Sequence, residues 1–193
     1  MRKDFTPELV IRAYAQGIFP MGDDDGGPIR WYSPDPRCIF DLWDFHVPKR
    51  LARTYRQGIF DIKVNTAWEA VMRKCAERES TWITEDIFRV YTELHKLGLA
   101  HSVEAYKDGV LAGGLYGVSL RGAFMGESMF HDVTDASKVC LVYLVERMRE
   151  RGFILLDSQF MTSHLSTFNA KLISKAEYLA MLEKALTIDA AFI

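Results

Sequence analysis

The chain has 193 residues, of which 49% are hydrophobic and 26% are charged, and its formal net charge is −2. This composition excludes a disordered chain. The weak net charge provides no global field for nucleic acid or a membrane surface, so a surface for either partner must be local. The length fits one large domain or two small ones.

The cysteines and the first residues indicate the compartment. Cys38, Cys75 and Cys140 are far apart and odd in number, so we expect neither a disulfide framework nor a cysteine zinc site, and we expect a reducing compartment. The opening MRKDFTPELV has no apolar core of a signal peptide, and no run approaches the roughly 20 apolar residues of a membrane span. These features predict a cytoplasmic protein.

Two helices separated by turns are predicted near the N-terminus. The first begins after Thr6 as its N-cap and ends at Gly17. MGDDDGGPIRWYSPDPR is rich in Gly, Asp and Pro, which predicts loops and a short strand over 29–32. The second helix, in VPKRLARTYRQG, carries the basic residues Lys49, Arg50, Arg53 and Arg56. This pattern fits either a solvated face or a phosphate-contacting patch.

A strand and two amphipathic helices follow. FDIKVN alternates as a short strand. TAWEAVMRKCAERE is predicted as a helix in which Thr66 and Glu69 form a capping box. TEDIFRVYTELHKLG is predicted as a helix with Thr84 as its cap and Gly98 as its stop.

The second half of the chain is rich in β-structure. Three apolar runs separated by KDG and LRG predict an antiparallel meander with an Asp-Gly hairpin. Gly113, Gly114 and Gly117 indicate a bulge or a close approach to the backbone; a phosphate loop is disfavoured because no lysine or helix start follows. A buried helix ending at Gly152, a buried strand in FILLDSQ and a last helix over 175–186 complete the chain.

The order of these elements predicts the fold class. In the second part of the chain, from TAWEAVMRKCAERE onward, the order α-α-β-β-β-α-β-α has the outline of the GNAT acyltransferases, which is an α/β (α+β) fold with a mixed, mainly antiparallel sheet. We expect a small N-terminal α/β domain with the basic helix at 1–60 and a GNAT-like catalytic domain at 61–193. The R-x-x-G-x-G/A loop that binds acetyl-CoA is missing, which favours an acyl donor other than CoA.

Polar side chains at strand ends are the candidate catalytic groups. Ser128 in GESMF resembles the start of a nucleophile elbow, but Phe130 replaces the second glycine and no helix begins there. Glu127 ends an apolar strand, and Asp157 and Gln159 share one side-chain parity after the buried run FILL. Ligands bind at the carboxyl ends of strands in open α/β sheets, which favours a site here. The alternative is a helix cap or a hydrogen-bonded bridge between strand and loop.

Eight sequence blocks occur in the order and spacing of one family. They are YAQGIFPM, WYSPDPR, TWIT, LHKLGLAHSVEAY, GGLYG, GESMF, DASK and LLDSQ. On these blocks the chain resembles the leucyl/phenylalanyl-tRNA–protein transferases. The resemblance implies transfer of Leu or Phe from aminoacyl-tRNA to the N-terminal amine of proteins that begin with Arg or Lys, which marks them for N-end rule degradation. An apolar pocket discriminates between amino-acid side chains in a graded way, so we expect Met to be transferred more weakly than Leu or Phe.

The resemblance also implies roles for individual residues. Asp157 and Gln159 would form a relay that helps the incoming amine to lose its proton, with Glu127 in the same cleft. The pocket for the transferred side chain is implied at Phe19, Met21, Trp82 and Leu115. The acceptor stem of the tRNA is implied to contact Lys49, Arg50, Arg53 and Arg56. We expect no metal, no cofactor, no membrane partner and a monomer.

The chain departs from the family pattern at several positions. Met21 stands where the family usually has a Trp that helps to hold the terminal adenosine or the pocket wall, which leaves the preferred donor open. Ser158 and Tyr32 replace a more common Cys and Trp, and the N-terminal lead-in is shorter. The alternatives are an aminoacyl-tRNA-dependent ligase with a different donor or acceptor, a non-catalytic tRNA-binding protein and a CoA-dependent acetyltransferase.

Overall fold

The computed structural model describes residues 4–23, 27–78 and 80–193, and nine strands lie within these ranges. They are β1 (Phe19–Met21), β2 (Arg30–Tyr32), β3 (Arg37–Phe40), β4 (Asp61–Val64), β5 (Ala100–Lys107), β6 (Val110–Leu120), β7 (Ala123–His131), β8 (Leu155–Gln159) and β9 (Lys171–Ile173). β1 and β2 form a separate ribbon, and the other strands form one sheet in the order β4-β5-β6-β7-β8-β3-β9. Only β7 and β8 of this sheet run parallel. The predicted α/β class with a mixed, mainly antiparallel sheet is confirmed.

Helices cover both faces of the sheet. They are α1 (Pro7–Tyr14), α2 (Lys49–Arg56), α3 (Trp68–Ala76), α4 (Glu85–Lys96), α5 (Ala136–Glu150), α6 (Ser163–Ser166) and α7 (Lys175–Leu186). One core lies between the sheet and α1, α3, α4 and α7. A second core, on the other face, contains most of the apolar side chains of α5 together with Leu51 of α2. α5 has no polar face over its central turns because the sheet and α2 bury it, as its continuous apolar run predicts.

Most helix boundaries follow local signals. The side chains of Thr6 and Thr84 accept hydrogen bonds from the backbone N–H groups of Leu9 and Ile87, so both predicted caps are confirmed. α7 begins with a complete capping box between Ser174 and Glu177. The predicted helix stops at glycines 17, 98 and 152 all have positive φ, a backbone region that glycine enters without strain.

The predicted capping box at Thr66 is wrong. α3 begins only at Trp68, and the Thr66 hydroxyl donates instead to the Glu104 carboxylate at 3.0 Å. Glu104 is fully buried in β5 and also accepts a hydrogen bond from Ser102. A buried carboxylate is costly unless donors surround it, so it takes the hydroxyl that would otherwise cap the helix.

The glycines of the meander allow close approach of neighbouring elements. Asp108 and Gly109, with φ of 53° and 79°, make the predicted hairpin between β5 and β6. A Cβ on Gly117 would lie 2.3 Å from the carbonyl oxygen of Met125 on β7. A Cβ on Gly113 would lie 2.6 Å from that of Ala136 on α5. The close approach predicted from these glycines is therefore made by the protein's own strand and helix.

The N-terminal segment contributes to the main sheet. β3 lies between β8 and β9, so residues 37–40 form an inner strand beside elements that come more than a hundred residues later. The domain boundary at residue 60 stays a prediction. The predicted loop at 24–26 and the predicted helix end at Glu79 lie outside the described residues. In the described ranges no helix is long and apolar enough to cross a membrane.

Candidate active site

A cleft opens where the parallel strands β7 and β8 separate. Their pairing ends at Met125 and Asp157, whereas β7 continues along β6 to His131. Beyond that point the two strands line a cavity of about 610 Å³, with Glu127 on β7 and Gln159 on β8. A cavity of this size can hold a small molecule or the end of a larger one.

Most of the cavity wall is apolar. Its buried apolar side chains include Phe40, Leu115, Leu141, Leu144 and Leu156. A second apolar group comes from β1 and the loops around the cleft and includes Phe19, Pro20, Met21, Trp82 and Phe160. The cavity therefore combines an apolar floor with a few polar groups, which is the usual composition of a specific small-molecule site.

Asp157 is held entirely by the protein. Its side chain is 0% exposed, and it forms an ion pair with Arg37, whose side chain is 1% exposed. Arg37 Nε donates to Oδ1 at 2.9 Å and Nη2 donates to Oδ2 at 2.6 Å. The Tyr178 hydroxyl donates to Oδ2 at 2.8 Å, and the backbone N–H of Gln159 donates to Oδ1 at 2.9 Å. An ionised carboxylate has about four acceptor positions, so these four hydrogen bonds occupy all the acceptor positions of Asp157.

Arg37 connects Asp157 to both ends of the chain. Its Nη1 donates to the carbonyl oxygen of Gly17 at 3.1 Å. Its guanidinium carbon lies 4.8 Å from the ring centroid of Phe19 and 4.3 Å from that of Tyr178. These contacts fix the α1–β1 turn, the inner strand β3 and helix α7 around one buried charge pair.

Gln159 holds its amide against Glu127. Its φ of 57° lies in the left-handed region, a conformation that costs a non-glycine residue about 1–3 kcal/mol. The hydrogen bond from its N–H to Asp157 offsets this cost. Its Nε2 donates to Glu127 Oε1 at 3.2 Å, and the Tyr14 hydroxyl donates to the same oxygen at 2.5 Å. The Tyr14 hydroxyl also lies 2.5 Å from that of Tyr91.

Glu127 is the perturbed acid of the cleft. Burial raises its pKa from 4.5 to about 8. The hydrogen bond from Tyr14 lowers the pKa, while the nearby charge of Asp157 raises it and that of Arg37 lowers it. A carboxyl whose pKa lies near neutrality can exchange a proton with a bound substrate at physiological pH.

Comparison with known proteins identifies the family. The family model described as leucyl/phenylalanyl-tRNA protein transferase matches residues 39–183, and the model of its N-terminal domain matches residues 3–35. This chain belongs to the leucyl/phenylalanyl-tRNA protein transferase family. The family suggested by the eight sequence blocks is confirmed.

Relatives in this family align with nearly the whole chain. The leucyl/phenylalanyl-tRNA–protein transferase of Salinibacter ruber is 52% identical over 98% of this chain and 84% of its own length. That of Herpetosiphon aurantiacus is 53% identical over 100% of both chains. A solved GCN5-related N-acetyltransferase-like protein from Streptococcus suis has a TM-score of 0.43 and 13% identity, and the match covers 86% of this chain and 64% of that one.

The structure places most of the predicted family site around one cavity. The pocket residues Phe19, Met21, Trp82 and Leu115 line it, and so do Glu127 and Gln159. Asp157 lies behind this wall and does not line the cavity. Ser128 also lines it, where its hydroxyl accepts a hydrogen bond from Arg78 at 3.1 Å.

The basic residues predicted to contact tRNA in this family lie on α2, but their surroundings differ. All four side chains are exposed, that of Arg50 to 68%. Arg50 is already engaged, because Nη1 and Nη2 donate to the two oxygens of Asp135 at 2.6 and 2.8 Å. Asp135 precedes α5, so this ion pair holds α2 against the start of the helix that forms one wall of the cavity.

Four residues that organise the site were missed by sequence reasoning. They are Tyr14, Arg37, Tyr91 and Tyr178. The one sequence feature of Arg37 that bears on this role is its position directly before the apolar run Cys38-Ile39-Phe40, because an arginine buried beside such a run must be paired. The tyrosines give no such signal, because their aromatic bodies fit an ordinary core and only the hydroxyl contacts distinguish them.

Proposed function

We propose that the protein transfers Leu or Phe, and Met more weakly, from aminoacyl-tRNA to the N-terminal amine of proteins that begin with Arg or Lys, which directs them to N-end rule degradation. One observation carries this proposal: an apolar cavity presents the Gln159 amide and the Glu127 carboxyl side by side, 3.2 Å apart. Family membership supports the donor and acceptor classes.

The chemistry requires orientation and movement of a proton. The acceptor amine attacks the carbonyl carbon of the aminoacyl ester, a C–N bond forms, and the C–O bond to the ribose breaks. The ester is already activated, so no covalent enzyme intermediate is needed. Orientation of two reactants can supply roughly 7–11 kcal/mol of the barrier. Ionised Glu127 would accept the proton of the attacking amine and return it to the departing ribose oxygen, a contribution of about 10²–10⁴-fold.

Asp157 would act through Gln159. Its four hydrogen bonds come from Arg37, Tyr178 and Gln159, and its carboxylate does not face the cavity. It holds the backbone N–H of Gln159 and thereby fixes the direction of the amide. The resemblance implies a carboxylate–amide relay of Asp157 and Gln159. In this proposal Asp157 only positions Gln159, whereas Gln159 and Glu127 contact the substrates.

The apolar floor would select the donor amino acid. Leu115, Leu141 and Leu144 are buried and contribute to this floor. Each methylene that an apolar pocket fills or leaves empty changes discrimination by about 1–3 kcal/mol. Leu and Phe would fill the floor, Met would fill it less well, and Ala would leave most of it empty.

A labelled-leucine assay tests the proposal. Leucyl-tRNA carrying labelled Leu is incubated with a peptide that begins with Arg and with the same peptide acetylated at its N-terminus. We expect label on the free peptide only, and a loss of at least about 100-fold in Glu127→Gln. Glu183→Gln, on the exposed surface of α7, is the matched control and should retain activity. Failure with both Leu- and Phe-tRNA would refute the transferase and leave a tRNA-binding protein as the alternative.

The compartment and the assembly follow from the same proposal. Aminoacyl-tRNA is consumed in the cytoplasm, so the protein would act there. One copy of the chain supplies the cavity, both polar groups and the basic helix, so a monomer would suffice. Light scattering at assay concentration should give the mass of a single chain, 22.1 kDa.

A further inference from the structure

One end of the cavity is basic, in contrast to its apolar floor. His131 at the end of β7, Lys138 in the first turn of α5 and His164 in α6 all line it. His131 is exposed, and the other two are half-buried, so this end is the mouth. The three side chains line the same cavity. Burial and then the charges of Lys138 and His131 lower the pKa of His164, which favours its neutral form at neutral pH.

The acids near this mouth are already neutralised. Asp135 lines the same end, but Arg50 binds both of its oxygens, and Lys138 lies 3.7 Å from it. Asp132, next to His131, pairs with Lys74 at 3.2 Å. With Arg50 and Lys138 beside the single charge of Asp135, the mouth retains a positive potential that favours an anion.

The basic mouth continues the basic face of α2. The Arg50–Asp135 ion pair brings the start of α2 to the start of α5, where Asp135 and, three residues later, Lys138 line the cavity. Exposed Lys49 and Arg53 lie on the same short helix as Arg50. Positive side chains therefore run from the outer surface of α2 to the opening of the cavity.

We propose that His131, Lys138 and His164 form a phosphate-binding site at the mouth of the cavity, which takes the backbone phosphate between the last two nucleotides of the donor RNA. This inference rests on the proposed function for the identity of the donor. It adds that the strand end is held at the cleft by its own phosphate, separately from the acceptor stem on α2. The ammonium group of Lys138 binds phosphate oxygens through charge-assisted hydrogen bonds, and an imidazole N–H donates to them in either protonation state.

A binding experiment that needs no transfer activity tests this site. The probes are the dinucleotide cytidylyl-adenosine and its analogue with a neutral methylphosphonate linkage, measured by calorimetry at low salt. We expect the wild-type protein to bind the phosphodiester about tenfold more tightly than the neutral analogue. Lys138→Gln and the double variant His131→Gln/His164→Gln should each reduce this preference. Lys138→Arg should retain it, as should Lys96→Gln, a matched exposed lysine on α4 outside the cavity.

The outcomes separate this site from the proposed transferase activity. Equal binding of the two dinucleotides, no binding of the phosphodiester, or an undiminished preference in Lys138→Gln would overturn the phosphate site, whatever the labelled-leucine assay shows. A preference that depends on Lys138 supports it even if transfer to peptide fails, in which case the proposed reaction alone is refuted.

Discussion

The guanidinium of Arg37 lies against both carboxylate oxygens of Asp157, 2.9 Å from one and 2.6 Å from the other, with both side chains removed from solvent. A buried pair of this kind adds little net stability compared with apolar residues, but breaking it leaves an uncompensated buried charge. The pair serves to position Gln159, because Asp157 also accepts the hydrogen bond from the backbone N–H of Gln159 and so holds this residue at the cavity wall.

Removal of one partner of this pair should destabilise the protein strongly. We expect Arg37→Met or Asp157→Leu alone to lower the free energy of unfolding by about 3–5 kcal/mol, because the remaining charge is buried without a partner. The double variant Arg37→Met/Asp157→Leu should recover most of that loss. Urea denaturation curves of the four proteins measure the effect.

Transfer activity should not recover with stability in the double variant. Gln159 loses the carboxylate that accepts its backbone N–H, so its amide is no longer fixed against Glu127. A purely structural role for the pair predicts the opposite, that a stable double variant is fully active. Turnover of the folded double variant in the labelled-leucine assay distinguishes the two roles.

The pH dependence of transfer should contain the titration of Glu127. Its pKa is raised to about 8 by burial, so the carboxyl is mostly protonated below that pH and ionised above it. Only the ionised form accepts a proton, and the acceptor amine, with a pKa of about 7.7–8.0, must also be neutral. We therefore expect the logarithm of kcat/KM for the peptide, at saturating donor, to rise with a slope of about two below neutral pH.

Substitution of Glu127 isolates its share of this slope. The residual activity of Glu127→Gln should rise with a slope of about one, since only the acceptor amine still titrates. Glu183→Gln should follow the wild-type profile. Identical slopes for the wild-type protein and Glu127→Gln would show that the proton goes elsewhere.

Local sequence signals predicted the elements, whereas the site depends on long-range contacts. Thr84, the Asp108–Gly109 hairpin and the stop at Gly152 each act through neighbours a few residues away, and each was predicted correctly. Thr66 was assigned wrongly because its partner, Glu104, lies 38 residues further along and outcompetes the helix N-terminus.

The candidate site shows the same division between local and distant signals. The acids and the amide could be found because polar side chains follow buried strands. The partners of Asp157 could not be found, since Arg37 lies 120 residues away and reaches it only through the inner strand β3. All four residues of β3 are buried, so its sequence shows no alternation between apolar and polar residues from which a strand could be predicted.

The basic helix should bind tRNA through some of its residues and support the fold through another. We expect Lys49→Gln/Arg53→Gln to weaken tRNA binding and to reduce the slope of log affinity against log salt by about one for each lost phosphate contact. Stability should be unchanged, because both side chains are exposed. Filter binding between about 50 and 300 mM salt measures the slope, and an equal loss of affinity at both ends would contradict the assignment.

Arg50 should behave differently from its neighbours on α2. Its guanidinium is bound to Asp135, so Arg50→Gln should lower the free energy of unfolding as well as affect tRNA, because it leaves the carboxylate of Asp135 with a weaker partner. Urea denaturation beside the Lys49→Gln/Arg53→Gln variant shows the contrast. If Arg50→Gln is as stable as that double variant, the ion pair with Asp135 makes no contribution to the free energy of unfolding, and the prediction is wrong.

Met21 offers a test of how the donor's terminal base is held. It lines the cavity together with Phe19 and Trp82, at a position where the family resemblance implies a Trp. If the terminal adenosine lies against this wall, Met21→Trp should lower the KM for aminoacyl-tRNA, since stacking of a base on an aromatic side chain contributes about 1–3 kcal/mol. Met21→Leu, which keeps the apolar character without a flat face, should leave the KM near the wild-type value. A Trp variant whose KM stays unchanged while its preference among Leu, Phe and Met shifts would instead place residue 21 at the pocket for the transferred side chain.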